Sequence, residues 1–182
     1  AQVSLGARYD NGEGIEMNDT LAVHWYRKSA EQGNAIAQKN LGVMYGNGEG
    51  VAQNDTLAVY WYRKSAEQGY ADGQYNLGVR YGNGKGITQN DTLAVYWYRT
   101  SAEQENAMAQ NNLGAMYEQG KGVEQNDTLA VYWYRTSAEQ GNAMAQNNLG
   151  MMYIRGRGIE ENHTLGVFWL RKSAKQENAM AQ

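Results

Sequence analysis

Residues 54–69 read NDTLAVYWYRKSAEQG, and this segment recurs with few changes along the whole chain. Its five copies start at Asn18, Asn54, Asn90, Asn126 and Asn162. A tryptophan keeps the same spacing of 36 residues, at Trp25, Trp61, Trp97, Trp133 and Trp169. A fixed period of this length indicates a repeat protein in which each copy forms the same structural unit.

The residues between these copies repeat as well. A Leu-Gly pair followed by a tyrosine lies in each interval, and its leucines are Leu5, Leu41, Leu77, Leu113 and Leu149. Segments 88–123 and 124–159 differ at only 7 of 36 positions. The 36-residue period therefore covers the entire unit and not only its most strongly repeated segment.

Each unit is predicted to contain two helices and no strand. The first spans roughly residues 35–45, where Ala37, Leu41 and Tyr45 share one helical face. It is expected to end at the glycine-rich run 46–50, because a helix interior disfavours glycine.

The second helix is predicted to begin at Asn54-Asp55-Thr56, because short polar side chains accept hydrogen bonds from the unpaired N–H groups of a first turn. We expect the repeated Asn54 and Asp55 to cap this helix and the repeated Trp and Tyr rings to lie in the core. Arg63 is expected to pair weakly with Glu67 one turn later, on a solvated face.

A glycine inside the first helix predicts close packing. Gly42 costs about 1 kcal/mol relative to alanine in a helix interior, and the compensating gain is the close approach of the second helix. One helix pair cannot bury all of its apolar residues, so neighbouring units must stack on one another.

Together these patterns resemble those of a known repeat family. A-x-x-x-L-G-x-x-Y-x-x-G-x-G-V/I followed by N-D-T-L-A-V-Y-W-Y-R-K-S-A-E-Q-G resembles the Sel-1-like repeat family, which is related to the tetratricopeptide repeats, and it covers the whole chain. The resemblance implies an all-α fold, an α/α right-handed superhelical solenoid with the first helices on its concave face. It also implies adaptor or scaffold functions in protein complexes, in bacteria often at the host interface. One branch of the family has disulfide-linked helix pairs, and this chain, which has no Cys, departs from it.

The repeat pattern predicts one solenoid over residues 1–182 that belongs to a longer array. Ala1 matches Ala37, and Ala181-Gln182 matches the same point of the unit. A unit without a following neighbour exposes apolar surface, so end-to-end self-association of copies is also expected.

Composition and charge argue against several classes of function. A net charge of −3 gives no basic surface for nucleic acid. No apolar run is long enough to span a membrane. The absence of Cys removes disulfides, thiolate chemistry and Cys-type zinc sites. The sequence is compatible with a cytoplasmic, a periplasmic or a secreted protein.

Positions that vary between copies mark a candidate binding surface. In the first helices they form a stripe beside the packing face, and by analogy with tetratricopeptide repeats this stripe lines the concave groove. We predict a protein or peptide partner contacting Val3, Ala7, Lys39, Val43, Tyr75, Val79, Asn111, Ala115, Glu118, Asn147, Met151 and Ile154. Adaptable Met side chains suit such a surface, and the alternative is that Met108 and Met144 fill the core between helices.

No residue pattern favours catalysis, a metal or a cofactor. His24 and His163 lie several repeats apart, which argues against a triad or a two-histidine metal site. The glycine-rich turns follow a helix, not a strand, and lack the rest of a nucleotide-binding motif. We therefore predict a scaffold that is not an enzyme. The alternatives are a purely structural stretch of a longer array and the non-catalytic module of a larger enzyme.

Overall fold

The structure of the chain is a computed structural model that describes residues 1–180, with side chains described through residue 176. Regular structure in residues 1–180 is entirely α-helical, which confirms the predicted all-α repeat fold. The helices are α1 (Gln2–Asn11), α2 (Asp19–Ala30), α3 (Ala35–Asn47), α4 (Asp55–Glu67), α5 (Ala71–Asn83), α6 (Asp91–Ala102), α7 (Ala107–Gln119), α8 (Asp127–Glu139), α9 (Ala143–Arg155) and α10 (His163–Met180).

The helices group into two compact units. Unit 1 is Ala1–Asn90 and contains α1 to α5, and unit 2 is Asp91–Gln182 and contains α6 to α10. Within each unit, every helix packs on the next one along the chain. The odd-numbered helices are the first helices of the repeats, and the even-numbered ones are the second helices.

The first helices extend into the glycine-rich runs that were predicted to end them. α3 continues through Gly46 to Asn47 and ends at Gly48, whose φ of 79° is left-handed. The Gly48 N–H donates to the Met44 carbonyl and closes the last turn. The helix therefore ends where a positive φ requires glycine and not at the first glycine.

Asparagine, not aspartate, caps the second helices. The Asn54 side-chain oxygen accepts a hydrogen bond from the Leu57 N–H at 2.9 Å, and Asp55 is the first helical residue. Asn18, Asn126 and Asn162 make the same contact. The predicted cap is therefore confirmed for asparagine at these four positions, and it is wrong for Asp55.

Removing one of these caps is expected to weaken its repeat. Asn126→Ala deletes the acceptor for the Leu129 N–H and should lower the free energy of unfolding by about 1 kcal/mol. Glu124→Ala, two residues earlier on an exposed position, is the control and should change little. Urea unfolding measures both, and equal stability of the two variants would contradict the capping role.

The core forms where a first helix crosses a second helix. Leu41 and Ala58 are fully buried, and the ring of Tyr62 lies against Gly42. A Cβ on Gly42 would lie 2.6 Å from the Tyr62 ring. Gly6 and Gly114 face Tyr26 and Tyr134 in the same way, which confirms that the mid-helix glycine is a packing position.

Candidate partner-binding site

The predicted stripe in unit 1 lies on the outward side of the first helices. Lys39 and Val43 of α3 are half-buried, and so are Tyr75 and Val79 of α5. Val3 and Ala7 of α1 are half-buried as well. These side chains are therefore partly accessible in unit 1.

In unit 2 the stripe residues differ in how much of each side chain is exposed. Ala115 and Met151 are half-buried and Asn147 is exposed, whereas Asn111 is buried. Asn111 accepts a hydrogen bond from Asn148 at 3.0 Å and donates to Asn112 at 3.3 Å. Its amide thus connects α7 to α9 and is occupied within the protein.

Glu118 belongs to a network between two repeats. Its carboxylate accepts hydrogen bonds from the Tyr134 hydroxyl at 2.7 Å and from Arg157 at 3.0 Å. Arg157 also forms an ion pair with Asp127 at 2.8 Å. Burial, together with the adjacent Glu118 carboxylate, raises the pKa of Tyr134 above its ordinary value. Glu118, a predicted stripe residue, is half-buried, and its charge is already paired within unit 2.

Ile154 also packs inside unit 2. A Cβ on Gly166 of α10 would overlap closely with the Ile154 side chain, at 2.5 Å from its Cγ1. The other copies have alanine at the position of Gly166. Ile154 therefore occupies space that an alanine methyl group would fill, and it serves packing at least as much as the surface.

The exposed methionines extend the stripe. Met108 is 39% exposed and Met144 is 51% exposed, which argues against the alternative that they fill the core. The Asn142 side-chain amide lies 3.3 Å from the Met108 sulfur. Together with Asn147 and Met151 they give unit 2 an accessible apolar and amide surface.

A row of recurrent asparagines on the same helices does not belong to the predicted stripe. Asn40, Asn76, Asn112 and Asn148 occur once in each of four repeats, and all are half-buried. They were overlooked because only varying positions were considered. Each side-chain amide can both donate and accept a hydrogen bond. Within each unit, the varying stripe and these asparagines together are called the first-helix surface.

A second accessible surface lies on the second helices. Tyr132 is 56% exposed and packs edge-on against Trp133, with ring centroids 5.0 Å apart. The prediction that the repeated aromatic rings lie in the core is therefore wrong for this row, and the tryptophans are half-buried. The exposed residues, here called the second-helix surface, are Leu21, Leu57, Tyr60, Leu93, Tyr96, Leu129, Tyr132, Leu165 and Phe168.

The repeated arginines bind the next repeat instead of pairing along their own helix. Arg27 donates to the Tyr45 hydroxyl at 2.8 Å, and we call this the arginine–tyrosine contact. It recurs in Arg63–Tyr81 at 3.2 Å, Arg99–Tyr117 at 2.7 Å and Arg135–Tyr153 at 3.1 Å. The contact thus ties a second helix to the first helix of the following repeat.

Residues typical of catalytic or metal sites are few in the described part of the chain. His163 lies 2.9 Å from Glu161 on the surface, and His24 packs edge-on against Trp25. Within that part, no group of three or more His, Cys, Asp or Glu residues is placed to hold a metal ion. Its helices also include none with the length and apolar character of a membrane span.

Comparison with known proteins supports this architecture. The family model described as Sel1 repeat matches residues 1–34, 35–70, 71–106, 107–142 and 143–178. Among curated proteins, no sequence matches the chain.

Two solved structures are closely similar. One is c5321, a protective antigen of uropathogenic Escherichia coli strains that displays an SLR fold, at 42% identity and a TM-score of 0.90. The match covers 99% of this chain and 38% of that chain. The other is a Sel1 repeat protein from Oxalobacter formigenes, at 39% identity and a TM-score of 0.91, covering 99% and 72%.

Proposed function

The chain belongs to the Sel1 repeat family, whose members generally act as protein-interaction scaffolds, and we propose that it binds a peptide segment of a partner protein on its first-helix surface. The repeats of this family are non-catalytic, so the chain contributes binding and not a reaction. We also propose that residues 1–182 act as one array.

One observation carries the proposal: the first helices of four repeats combine recurrent half-buried amides with neighbouring side chains that differ from repeat to repeat. In unit 2, Asn112 and Asn148 lie beside Met108, Met144 and Met151. Each of these two asparagines uses one group to bond Asn111, and the remaining amide donors and acceptors can pair with a peptide backbone of any sequence. Varying apolar neighbours then select the partner's side chains, and unbranched methionine adapts its shape to them.

Charge favours a peptide without strong net charge at unit 2. The accessible part of this surface consists of amides and methionines, and the Glu118 carboxylate is already paired with Arg157. In unit 1 the surface adds Lys39 and Tyr75. An extended segment with apolar anchors therefore fits unit 2 better than an acidic or basic one.

The proposal can be tested with a displayed library of random twelve-residue peptides selected on the immobilised chain. We expect selected peptides to protect backbone amides of α7 and α9 from hydrogen exchange. Protection centred on α6, α8 and α10 would place the partner on the second-helix surface and overturn the assignment. Failure to select any binder at micromolar concentration would favour the purely structural alternative.

A further inference from the structure

A cleft in unit 1 opens between two neighbouring second helices. It lies where the end of α2, the start of α3 and the middle of α4 meet, and its volume is about 350 Å³. One wall is the edge-on pair of Tyr60 and Trp61, whose ring centroids lie 4.9 Å apart. The other lining residues are Ala30, Glu31, Gly33, Gln38 and Lys64. A space of this size lies within the range of ligand pockets in proteins.

An ammonium group of the protein itself lies over these rings. Lys64 Nζ is 5.9 Å from the centroid of the Tyr60 ring. The face of an aromatic ring carries partial negative charge and attracts a cation at about this distance. Lysines at the same position make the same kind of contact in Lys28–Trp25 at 5.4 Å and Lys172–Trp169 at 5.1 Å. In three repeats, a lysine therefore shows where a cation binds beside the aromatic pair.

The corresponding cleft in unit 2 keeps the same frame. Gln110 of α7 donates to the last carbonyl of α6 at 3.1 Å, as Gln38 of α3 does to the last carbonyl of α2. Tyr132 and Trp133 of α8 form the edge-on aromatic wall, with ring planes at 78°. α6, α7 and α8 thus place the same groups around this position as α2, α3 and α4.

The unit 2 cleft has lost its own ammonium group. Thr136 stands where α4 has Lys64. Its hydroxyl donates to the Tyr132 backbone carbonyl at 2.9 Å within α8, so it places no cation over the rings. Tyr132 is exposed and Trp133 is half-buried. The aromatic pair is therefore accessible to a cation from another molecule.

The same cleft has gained a carboxylate at a backbone position that disfavours any side chain. Glu105 has a φ of 65°, and no other non-glycine residue of the described chain has a left-handed φ. Its equivalents Gly33 and Gly141 have φ values of 88° and 95°. A side chain in this conformation costs stability, and residues held in this way cluster at functional sites. Glu105 thus adds negative charge to the cleft in spite of backbone strain.

Charge in the unit 2 cleft favours a cation. Glu103 stands at the position of Glu31, and both Glu103 and Glu105 are exposed. Neither carboxylate forms an ion pair with any side chain that the structure describes. α6 ends at Ala102 beside them, and the carbonyl end of a helix attracts cations. The unit 1 cleft balances Glu31 with Lys64, whereas the unit 2 cleft carries two carboxylates and a threonine.

We propose that the cleft beside Trp133 binds an alkylammonium group of another molecule, either a lysine side chain or a quaternary ammonium compound. The cation lies over the Tyr132 and Trp133 rings, in the place that Lys64 takes in unit 1, and Glu103 and Glu105 provide the counter-charge. This site lies on the second helices and does not rest on the proposed peptide binding at the first-helix surface.

An NMR titration of the 182-residue chain, followed at the tryptophan indole N–H signals, tests this proposal. With Nα-acetyl-lysine methylamide we expect a saturable shift of the Trp133 signal in the millimolar range, as for one cation–π contact assisted by charge. Trp61 should shift little, because Lys64 already lies over that aromatic pair. Nα-acetyl-norleucine methylamide, which lacks the ammonium group, is the neutral control. Choline chloride, titrated in parallel, distinguishes the two sources by which ligand binds more tightly.

Exchanging the lysine and the threonine between the two clefts should exchange their behaviour. Thr136→Lys supplies the ammonium group that α4 has and should weaken ligand binding at Trp133 by at least about tenfold, because two cations repel each other over one ring pair. Lys64→Thr should make the Trp61 signal respond to the lysine ligand, more weakly than Trp133, since Glu31 is the one carboxylate in that cleft.

Glu105→Gly separates a binding role from a structural one. Glycine adopts a φ of 65° without strain, so this variant should have a higher thermal midpoint than wild type. Its affinity for the lysine ligand should nevertheless fall by about threefold or more, because one of the two counter-charges is removed. A residue with a purely structural role would not change affinity and stability in opposite directions.

Three results would overturn the proposal. The first is a Trp133 signal that stays unchanged at about 50 mM lysine ligand, well above the expected millimolar range. The second is an equal response to the norleucine compound. The third is wild-type affinity in both Thr136→Lys and Glu105→Gly.

Discussion

Replacing Gly114 with alanine should lower the free energy of unfolding by about 2 kcal/mol, although the same change stabilises most helix interiors. The added Cβ would lie 2.8 Å from the Tyr134 ring and 3.2 Å from the Ala130 carbonyl oxygen. The ring cannot move aside easily, because its hydroxyl is bonded to Glu118 at 2.7 Å. Overpacking between α7 and α8 therefore outweighs the gain in helix propensity.

A double-mutant cycle separates this contact from a general effect on the helix. Tyr134→Val opens the space that the new methyl group needs, at its own cost in stability. Gly114→Ala should then cost much less in the Tyr134→Val background, with a coupling energy of about 1 kcal/mol or more. Urea unfolding of the four proteins gives the cycle. A Gly114→Ala protein as stable as wild type would show that the glycine is not needed for close approach.

The fold was largely predictable because the period itself carries the information. Leu41 and Tyr45 on one helical face, with Gly42 beside them, predicted a closely packed helix pair, and the structure confirms it. The predicted end of α3 lies two residues before the observed end at Asn47. Gly46 is tolerated in the helix, and only the left-handed conformation of Gly48 ends it.

Comparing copies could not separate a repeated core from a repeated surface. Tyr62 and Tyr60 recur almost equally well, yet Tyr62 is buried and Tyr60 is 48% exposed. Both rows keep the same period, so recurrence alone says nothing about burial. The asparagines of the first-helix surface were overlooked for the same reason.

Comparing single positions also could not show substitutions that compensate one another between helices. Tyr26 donates to Asp10 at 3.0 Å, just as Tyr134 donates to Glu118 at the equivalent positions. Where this acid is replaced by Gly46, Arg80 of the next repeat reaches into the space. Variation at this position therefore reflects changing packing partners, which the sequence comparison interpreted as freedom to bind a ligand.

The largest effect on binding is expected from a combined change at the first-helix surface of unit 2. Met144→Ser, Asn147→Ala and Met151→Ala remove side chains that are exposed or half-buried and leave buried Asn111 and the packed Ile154 intact. Affinity for a peptide selected on the wild-type chain should fall by about a hundredfold, because a few anchors carry most of an interface's energy. The thermal midpoint should stay within about 3 °C of wild type, as for most surface substitutions.

The matched control changes the second-helix surface of the same unit. Leu129→Ser with Tyr132→Ala removes residues that are 37% and 56% exposed, so it deletes comparable accessible apolar area without touching α7 or α9. Titration calorimetry with the same peptide should give wild-type affinity for this protein. If the second-helix variant lost binding while the first-helix variant kept it, the exposed tyrosine row would be the binding surface. The recurrent asparagines would then serve only to connect neighbouring first helices, as Asn148 does when it donates to Asn111 between α9 and α7.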